Sequence, residues 1–297
     1  MAFSARSKGM IMVLSSAIFW GGSGVVAQFL FQQQGVSVEW LVTVRLLFSG
    51  LILLCLAAMK EPGLVFAIWK DRFSRLPLLL LSIIGMIGVQ YTFFAAIESG
   101  NAATATVLQY LAPVLVVLYI TFRSKSKPST KEIVAVLLSV LGTFFLVTGG
   151  NPFALTISSL SVFWGLSSAV ALAFYTVYPI ELLKRWGAVV VIGWAMTLGG
   201  LGFSFVHSPW EYEGMLNVPT VAGVLFVIIF GTLIAFYLYS ESLHYLKPSE
   251  TSLLACVEPL SAVFLSVVVL HVDFGIGEWV GTLCIITTVL MLSRVKK

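Results

Sequence analysis

Apolar residues fill this chain in long blocks, each near the length of a membrane-crossing helix, with short polar joints between them. A bilayer core of about 30 Å needs roughly 20 apolar residues in a helix. Ten blocks meet or approach that length. They cover 9–31, 41–59, 76–97, 102–122 and 133–149 in the first half, then 158–183, 189–206, 219–243, 249–270 and 275–293. Gly, Pro and Asn punctuate the joints, as in Ser99-Gly100-Asn101, Gly149-Gly150-Asn151-Pro152 and Lys247-Pro248. The pattern predicts an all-α membrane protein with ten transmembrane helices.

Composition sharpens the picture. Of 297 residues, 59% are hydrophobic and 10% charged, and the mean hydropathy is +1.02; a soluble chain carries about a quarter charged residues. The first block follows Met1 to Lys8 as a signal sequence would, but it is too long and lacks a small-x-small cleavage site, so it reads as an uncleaved helix. The joints are too short to form a soluble domain.

Charge supplies an independent test. With the N-terminus inside, the inner segments hold Arg6, Lys8, Lys60, Lys70, Arg72, Arg75, Arg123, Lys125, Lys127, Lys131, Lys184, Arg185, Lys247, Arg294, Lys296 and Lys297. That is every basic residue except Arg45, while outer connections such as 32–40, 98–101 and 207–218 hold none. A Lys and Arg bias of this kind sets orientation on insertion. It predicts both termini in the cytoplasm and a multi-pass protein of the inner or plasma membrane. It also accounts for the net charge of +4 without invoking nucleic acid. Trp210 and Tyr212 outside, with Trp69 and Trp186 inside, fall at the predicted interfaces.

Several chemistries drop out. Cys55, Cys256 and Cys284 lie in apolar blocks with no metal-ligand spacing, and His207, His244 and His271 stand in separate segments. No phosphate-cradling loop is present, since Gly21-Gly22-Ser23-Gly24 sits inside an apolar helix. No metal and no cofactor is expected.

The two halves repeat. A shift of 146 residues places Gly85 on Gly231, Tyr91 on Tyr237, Leu108 on Leu254, Pro113 on Pro259 and Glu132 on Glu278. Ser15-Ser16-Ala17 matches Ser167-Ser168-Ala169 more loosely. Five spans per copy is an odd number, so the second copy enters the membrane upside down; inverted repeats place a binding site near the midplane between the copies. The expected units are 1–150 and an inverted 151–297. On these residues the chain resembles the EamA-type members of the drug/metabolite transporter superfamily. Val257-Glu258-Pro259 followed by Gly277-Glu278 looks like that family's pattern, and Leu111-Ala112-Pro113 with Glu132 is its counterpart in the first repeat, with Ala112 replacing the acid. The resemblance implies export or exchange of small metabolites, such as amino acids or drug-like amphipathic compounds, by alternating access.

Two ionisable residues lie well inside spans, where a charge costs about 2.5–3.5 kcal/mol and usually turns inward. Glu258, beside Pro259, reads as a carboxylate for a substrate ammonium or a coupling proton. The competing reading has it satisfy its proline-interrupted helix, and its place in a family-wide pattern favours that account. Arg45 lies five residues into the second span. Snorkelling to the outer interface is the simpler account; a gating or charge partner, to a substrate carboxylate or to Glu98, is the sharper one. Trp20, Tyr91, Gln109, Tyr175 and Tyr237 complete the candidate substrate-binding set, with Gln90, Tyr110 and Tyr178 as further polar groups at membrane depth. A secondary transporter, acting as a monomer or weak homodimer, is the leading expectation; a sensor or membrane-embedded enzyme on the same fold is the alternative.

Overall fold

A computed structural model describes residues 5–124, 129–151, 155–242, 245–246, 251, 254–255 and 257–293. His244, Cys256, Pro152 and the Lys247-Pro248 joint lie outside the described residues, as do Lys125, Lys127, Arg294, Lys296 and Lys297. The described regular structure is helical. In the first half it comprises α1 (Ala5–Gln32), α2 (Val38–Lys60), α3 (Pro62–Lys70), α4 (Arg72–Glu98), α5 (Ala102–Arg123) and α6 (Thr130–Thr148). The second half adds α7 (Ser159–Val177), α8 (Ile180–Trp186), α9 (Ala188–Phe203), α10 (Val218–Tyr239), α11 (Val257–Leu270) and α12 (Ile276–Ser293). Six of these are long and apolar enough to cross a membrane, and the pair α8–α9, bent by 119°, makes a seventh if counted as one span. Ile133–Thr148, Val257–Leu270 and Ile276–Met291 are shorter apolar stretches.

The structure departs from the sequence pattern where prolines and glycines fall. The block 158–183 ends as α7 at Val177, because Pro179 cannot continue it; a separate turn, α8, follows. Gly187, at φ 77°, then reverses the chain into α9, a backbone that L side chains rarely adopt. The connection after Lys60 contains a helix the pattern did not show, α3, opened by Pro62. Its Val65 and Ile68 are buried while Phe66 is exposed. The block 102–122 is interrupted at Tyr110 and Leu111. Pro113 has no N–H for the carbonyl of Gln109, one turn back.

Helix packing pairs the halves reciprocally. α2 lies along α9 and α6 along α12, while α1 packs on α10 and α11 as α7 packs on α4 and α5. Lipid offers no hydrophobic gain for burying one helix on another, so small residues and close backbones carry these crossings. Between α6 and α12, a Cβ on Gly281 would collide with the backbone of Gly142 and Leu146. The repeat offset of 146 also has a structural counterpart: α4 turns π-helical over Leu81–Ile87 and α10 over Ile229–Ile234, around Gly85 and Gly231.

Candidate functional site

The glycine run in α1 is where the interior helices meet. A Cβ on Gly21 would strike the Ser261 hydroxyl and the carbonyl of Glu258 on α11. Gly24 faces Ala102, Ile97 and Phe93 of α4 and α5. Ser23 lies directly against Gly231, so a side chain there would collide with it. Three neighbouring residues thus touch three parts of the molecule. That close approach is what the small residues permit.

Glu258 occupies the first turn of α11. Its Oε2 accepts a hydrogen bond from the Tyr110 hydroxyl at 2.9 Å, from the interruption of α5. The same hydroxyl lies 3.1 Å from the carbonyl oxygen of Ala255. Ala255 is four residues before Pro259, so its carbonyl lacks the helical N–H it would otherwise bond. Tyr110 therefore stands between an ionisable oxygen and an under-satisfied carbonyl, with one hydroxyl proton to give. With Glu258 ionised, that proton serves the carboxylate. With Glu258 protonated, the acid donates to the Tyr110 oxygen and Tyr110 donates to Ala255. One added proton reverses the chain of bonds.

Arg45 does not snorkel. It is 5% exposed, turned inward, and its guanidinium crosses to the π-helical part of α10. Nε donates to Thr232 Oγ1 at 2.6 Å, Nη2 donates to the Gly231 carbonyl at 3.2 Å, and the group lies 4.9 Å from the Phe94 ring centre. The inward position corrects the simpler expectation, since the energy of two hydrogen bonds to a charged group replaces hydration at the interface. Arg45 and Glu258 are within electrostatic reach of each other.

The other expected residues are dispersed. Trp20, next to Gly21, packs edge-on against Phe236 at 5.2 Å and at a tilt against Tyr239 at 5.3 Å, on α10. Tyr91 donates to Glu39 Oε1 at 3.0 Å, with Trp164 and Phe203 around its ring. Glu98 lies within electrostatic reach of Glu39 on that side, and Arg45 bonds α10 rather than Glu98. Gln109 donates to Ser168 at 2.6 Å, tying α5 to α7. Tyr175 faces Gly85 of α4. Tyr237 is 53% exposed at the rim of the bundle. The structure thus gathers Trp20, Arg45 and Glu258 around Gly21–Gly24 and leaves Tyr91, Gln109, Tyr175, Tyr237 and Glu98 elsewhere. Ser23, Thr232 and Ser261 join the site without having been singled out. Short hydroxyl side chains in apolar helices most often bond their own backbone, so the sequence carried no signal for them.

Each end of the bundle carries a cross-half clasp. At the basic end, Asp71 caps α4: its Oδ1 accepts from Phe73 N at 3.3 Å and its Oδ2 from the Ser74 hydroxyl at 2.6 Å. Arg185 reaches the same Oδ2 at 2.7 Å, and Trp186 Nε1 donates to Ser74 at 2.9 Å. At the opposite end, 146 residues on, Asn217 caps α10 through Thr220 N at 2.9 Å. Gln34 Oε1 there accepts from Asn217 Nδ2 at 2.8 Å and from the Thr220 hydroxyl at 3.0 Å.

Comparison with known proteins agrees with this architecture. A family model described as the EamA-like transporter family matches residues 7–148 and, a second time, residues 159–294. The chain is 39% identical to a protein named as the uncharacterized inner membrane transporter YicL of Salmonella typhimurium, over 96% of this chain and 95% of that one. It is 27% identical to the uncharacterized transporter YetK of Bacillus subtilis, over 98% and 89% of the two chains. A solved crystal structure at 18% identity covers 96% of each chain with a TM-score of 0.63, a likeness of fold.

Proposed function

This chain belongs to the EamA-like transporter family, and on that premise we propose that it is a proton-linked secondary transporter that exports or exchanges small metabolites by alternating access. In this reading it crosses the inner membrane ten times with both termini in the cytoplasm. Residues 1–150 and 151–297 act as two inverted repeats. The substrates are small amphipathic molecules bearing an ammonium group, amino acids among them, held between the halves. The membrane setting and the transporter role follow from the family; the coupling and substrate are ours.

One observation supports the coupling above the rest. Tyr110 bridges from the first half to Glu258 and to the carbonyl beside Pro259 in the second. Loading or unloading a proton, or a substrate ammonium, at Glu258 redirects a hydrogen bond that joins the halves. An equilibrium shifts only by the difference in interaction between two states, and this bond supplies such a difference.

The test uses the purified full-length protein, screened for metabolites that raise its melting temperature, then reconstituted in vesicles with a pH-sensitive dye. Wild type should move protons when a stabilising metabolite is added. Glu258→Gln should fold, yet lose proton movement and the pH dependence of transport. Tyr110→Phe should keep binding with a shifted pH profile. A folded Glu258→Gln protein with the wild-type profile removes Glu258 from coupling. Reporter fusions after Gly35 and Gly150 should read as external and one after Lys127 as internal; an internal reading at Gly150 breaks the inverted-repeat arrangement.

A further inference from the structure

The surroundings of Arg45 contain more hydrogen-bonding capacity than the protein uses. A guanidinium has five N–H groups. Two are engaged by α10 and the group otherwise meets the Phe94 ring. Against the α-carbon of the glycine whose carbonyl Arg45 holds, Ser23 is 3% exposed and its hydroxyl has no hydrogen-bond partner among the described residues. A buried hydroxyl without a partner is destabilising, and a bound acceptor relieves that cost. Thr232 adds a second hydroxyl, which receives from Arg45 and donates to the Val227 carbonyl at 3.0 Å.

The repeat shows how this place differs from its counterpart. Counting from Trp40 in α2 and Trp194 in α9, Arg45 corresponds to Gly199. Both tryptophans donate to a backbone carbonyl at their end, Trp40 to Pro209 in the connection after α9 at 3.0 Å and Trp194 to Val65 of α3 at 2.8 Å. At Gly199, α9 lies so close to the π-helical part of α4 that a Cβ would stand 3.2 Å from the Ser82 carbonyl. At the corresponding place in the first half, the backbones are bridged by the length of an arginine side chain instead.

We infer that Arg45 and Ser23, with Thr232 holding the guanidinium in place, form an anion subsite around Gly231 that takes the carboxylate of the transported molecule. The inference rests on the transport reading above and extends it. Gly21, against the Glu258 carbonyl, and Ser23, against Gly231, are two residues apart on α1, and Arg45 and Glu258 lie within electrostatic reach of each other. The cation that binds a carboxylate and the acid that binds an ammonium are therefore anchored on either side of one short stretch of helix. The chemistry selects small amphoteric molecules. A planar guanidinium matches a carboxylate in a two-pronged bond that lysine does not reproduce.

The experiment compares three probe sets on the purified full-length protein: L-amino acids, their carboxamides, which lack the anion, and the matching 2-hydroxy acids, which lack the ammonium. Thermal stabilisation and vesicle uptake are read for each. Amino acids should bind at least tenfold more tightly than their amides. Arg45→Gln and Arg45→Lys should erase that preference, and Ser23→Ala should weaken amino acids and hydroxy acids severalfold while leaving amides unchanged. Should Arg45→Gln fail to fold, Arg45→Lys and Ser23→Ala decide. Amides binding as well as acids, a folded Arg45 variant that keeps the preference, or no stabilisation by any carboxylate overturns the subsite. Uptake of amides as strong as that of the acids and still dependent on Glu258 would sink the anion subsite and leave the transport reading intact; proton movement unaffected by Glu258→Gln would sink the coupling instead.

Discussion

The π-helical parts of α4 and α10 are the same device supported in two ways. Around Gly85 the support is packing: Tyr175 and Phe174 of α7 close one side, and Gly199 of α9 brings its backbone to Ser82. Around Gly231 the support is polar: Arg45 reaches across from α2, and the Ser23 hydroxyl has no partner among the described residues. A π-turn inside an α-helix disturbs the hydrogen-bond ladder and frequently marks a functional site. The duplicated frame supplies two such places, and only one has been given charge. The difference teaches where the chemistry lies, because symmetry alone assigns the two equal roles.

The widest separation between the two should come from adding volume. At Gly231 a new Cβ meets Ser23, whose own Cβ and hydroxyl are in the way; at Gly85 the nearest atom is the terminal methyl of Leu81 at 2.9 Å, which rotates aside. Gly231→Val should cost about 3 kcal/mol and Gly85→Val about 1 kcal/mol, the range for overpacking a tight interior. Melting curves of the two purified variants compare them. Equal losses would mean that the two segments tolerate volume alike and that the polar side is no more tightly fitted.

Removing the polar support comes next. Arg45→Met keeps much of the side-chain length but leaves the Gly231 carbonyl without that donor. It should lower stability by about 2 kcal/mol, since hydrogen bonds to charged groups contribute roughly 1.5–3 kcal/mol. Relief of the buried charge offsets part of this. Gly199→Ala, at the corresponding place, should cost about 1 kcal/mol, as neighbours shift by a few tenths of an ångström. A more stable Arg45→Met protein would show that the arginine is held there against stability.

How far these features were legible follows from what each depends on. The apolar blocks and the internal repeat are properties of the chain order, and the helices and the twofold family match agree with them. Glu258 stood out because an acid beside a proline in an apolar run is rare on any count. Arg45 was visible, but its direction was not. In a soluble helix the buried face is the apolar one; here Phe48, Leu51 and Leu56 face outward and Leu41 and Leu46 inward, all equally apolar. Leu41, Arg45 and Ser49, spaced by four, do share the buried face, and that spacing was the available clue. Tyr110 needed the structure, because its two acceptors lie some 145 residues away in the chain. Helix α3 was missed because nine residues are too few to register as a span.

The smallest effect concerns the two clasps, which share a cap geometry and differ in charge. Asp71 holds its place through the Ser74 hydroxyl first, then the Phe73 amide and the nearby Arg185 and Arg72, and together these hold its carboxyl below the ordinary Asp value of 3.8. A carboxyl lowered on folding adds stability that is present above its ordinary range and lost as pH falls through its folded value. The Gln34–Asn217–Thr220 clasp has no titrating group of its own. Asp71→Asn, which gives the basic end the same cap residue as the other, should therefore lower the melting temperature slightly at pH 7. That difference should shrink toward zero as the pH approaches the low end of the carboxylate range. The effect is small because the Arg185 side chain is 58% exposed and water and salt screen the pair. Asn217→Ala should give a loss that does not change with pH. Melting both variants and the wild type between pH 7 and the acid limit separates the cases. A gap for Asp71→Asn that stays constant with pH would show that the carboxylate acts there only as a hydrogen-bond acceptor, and the two ends would then differ in sequence but not in physics.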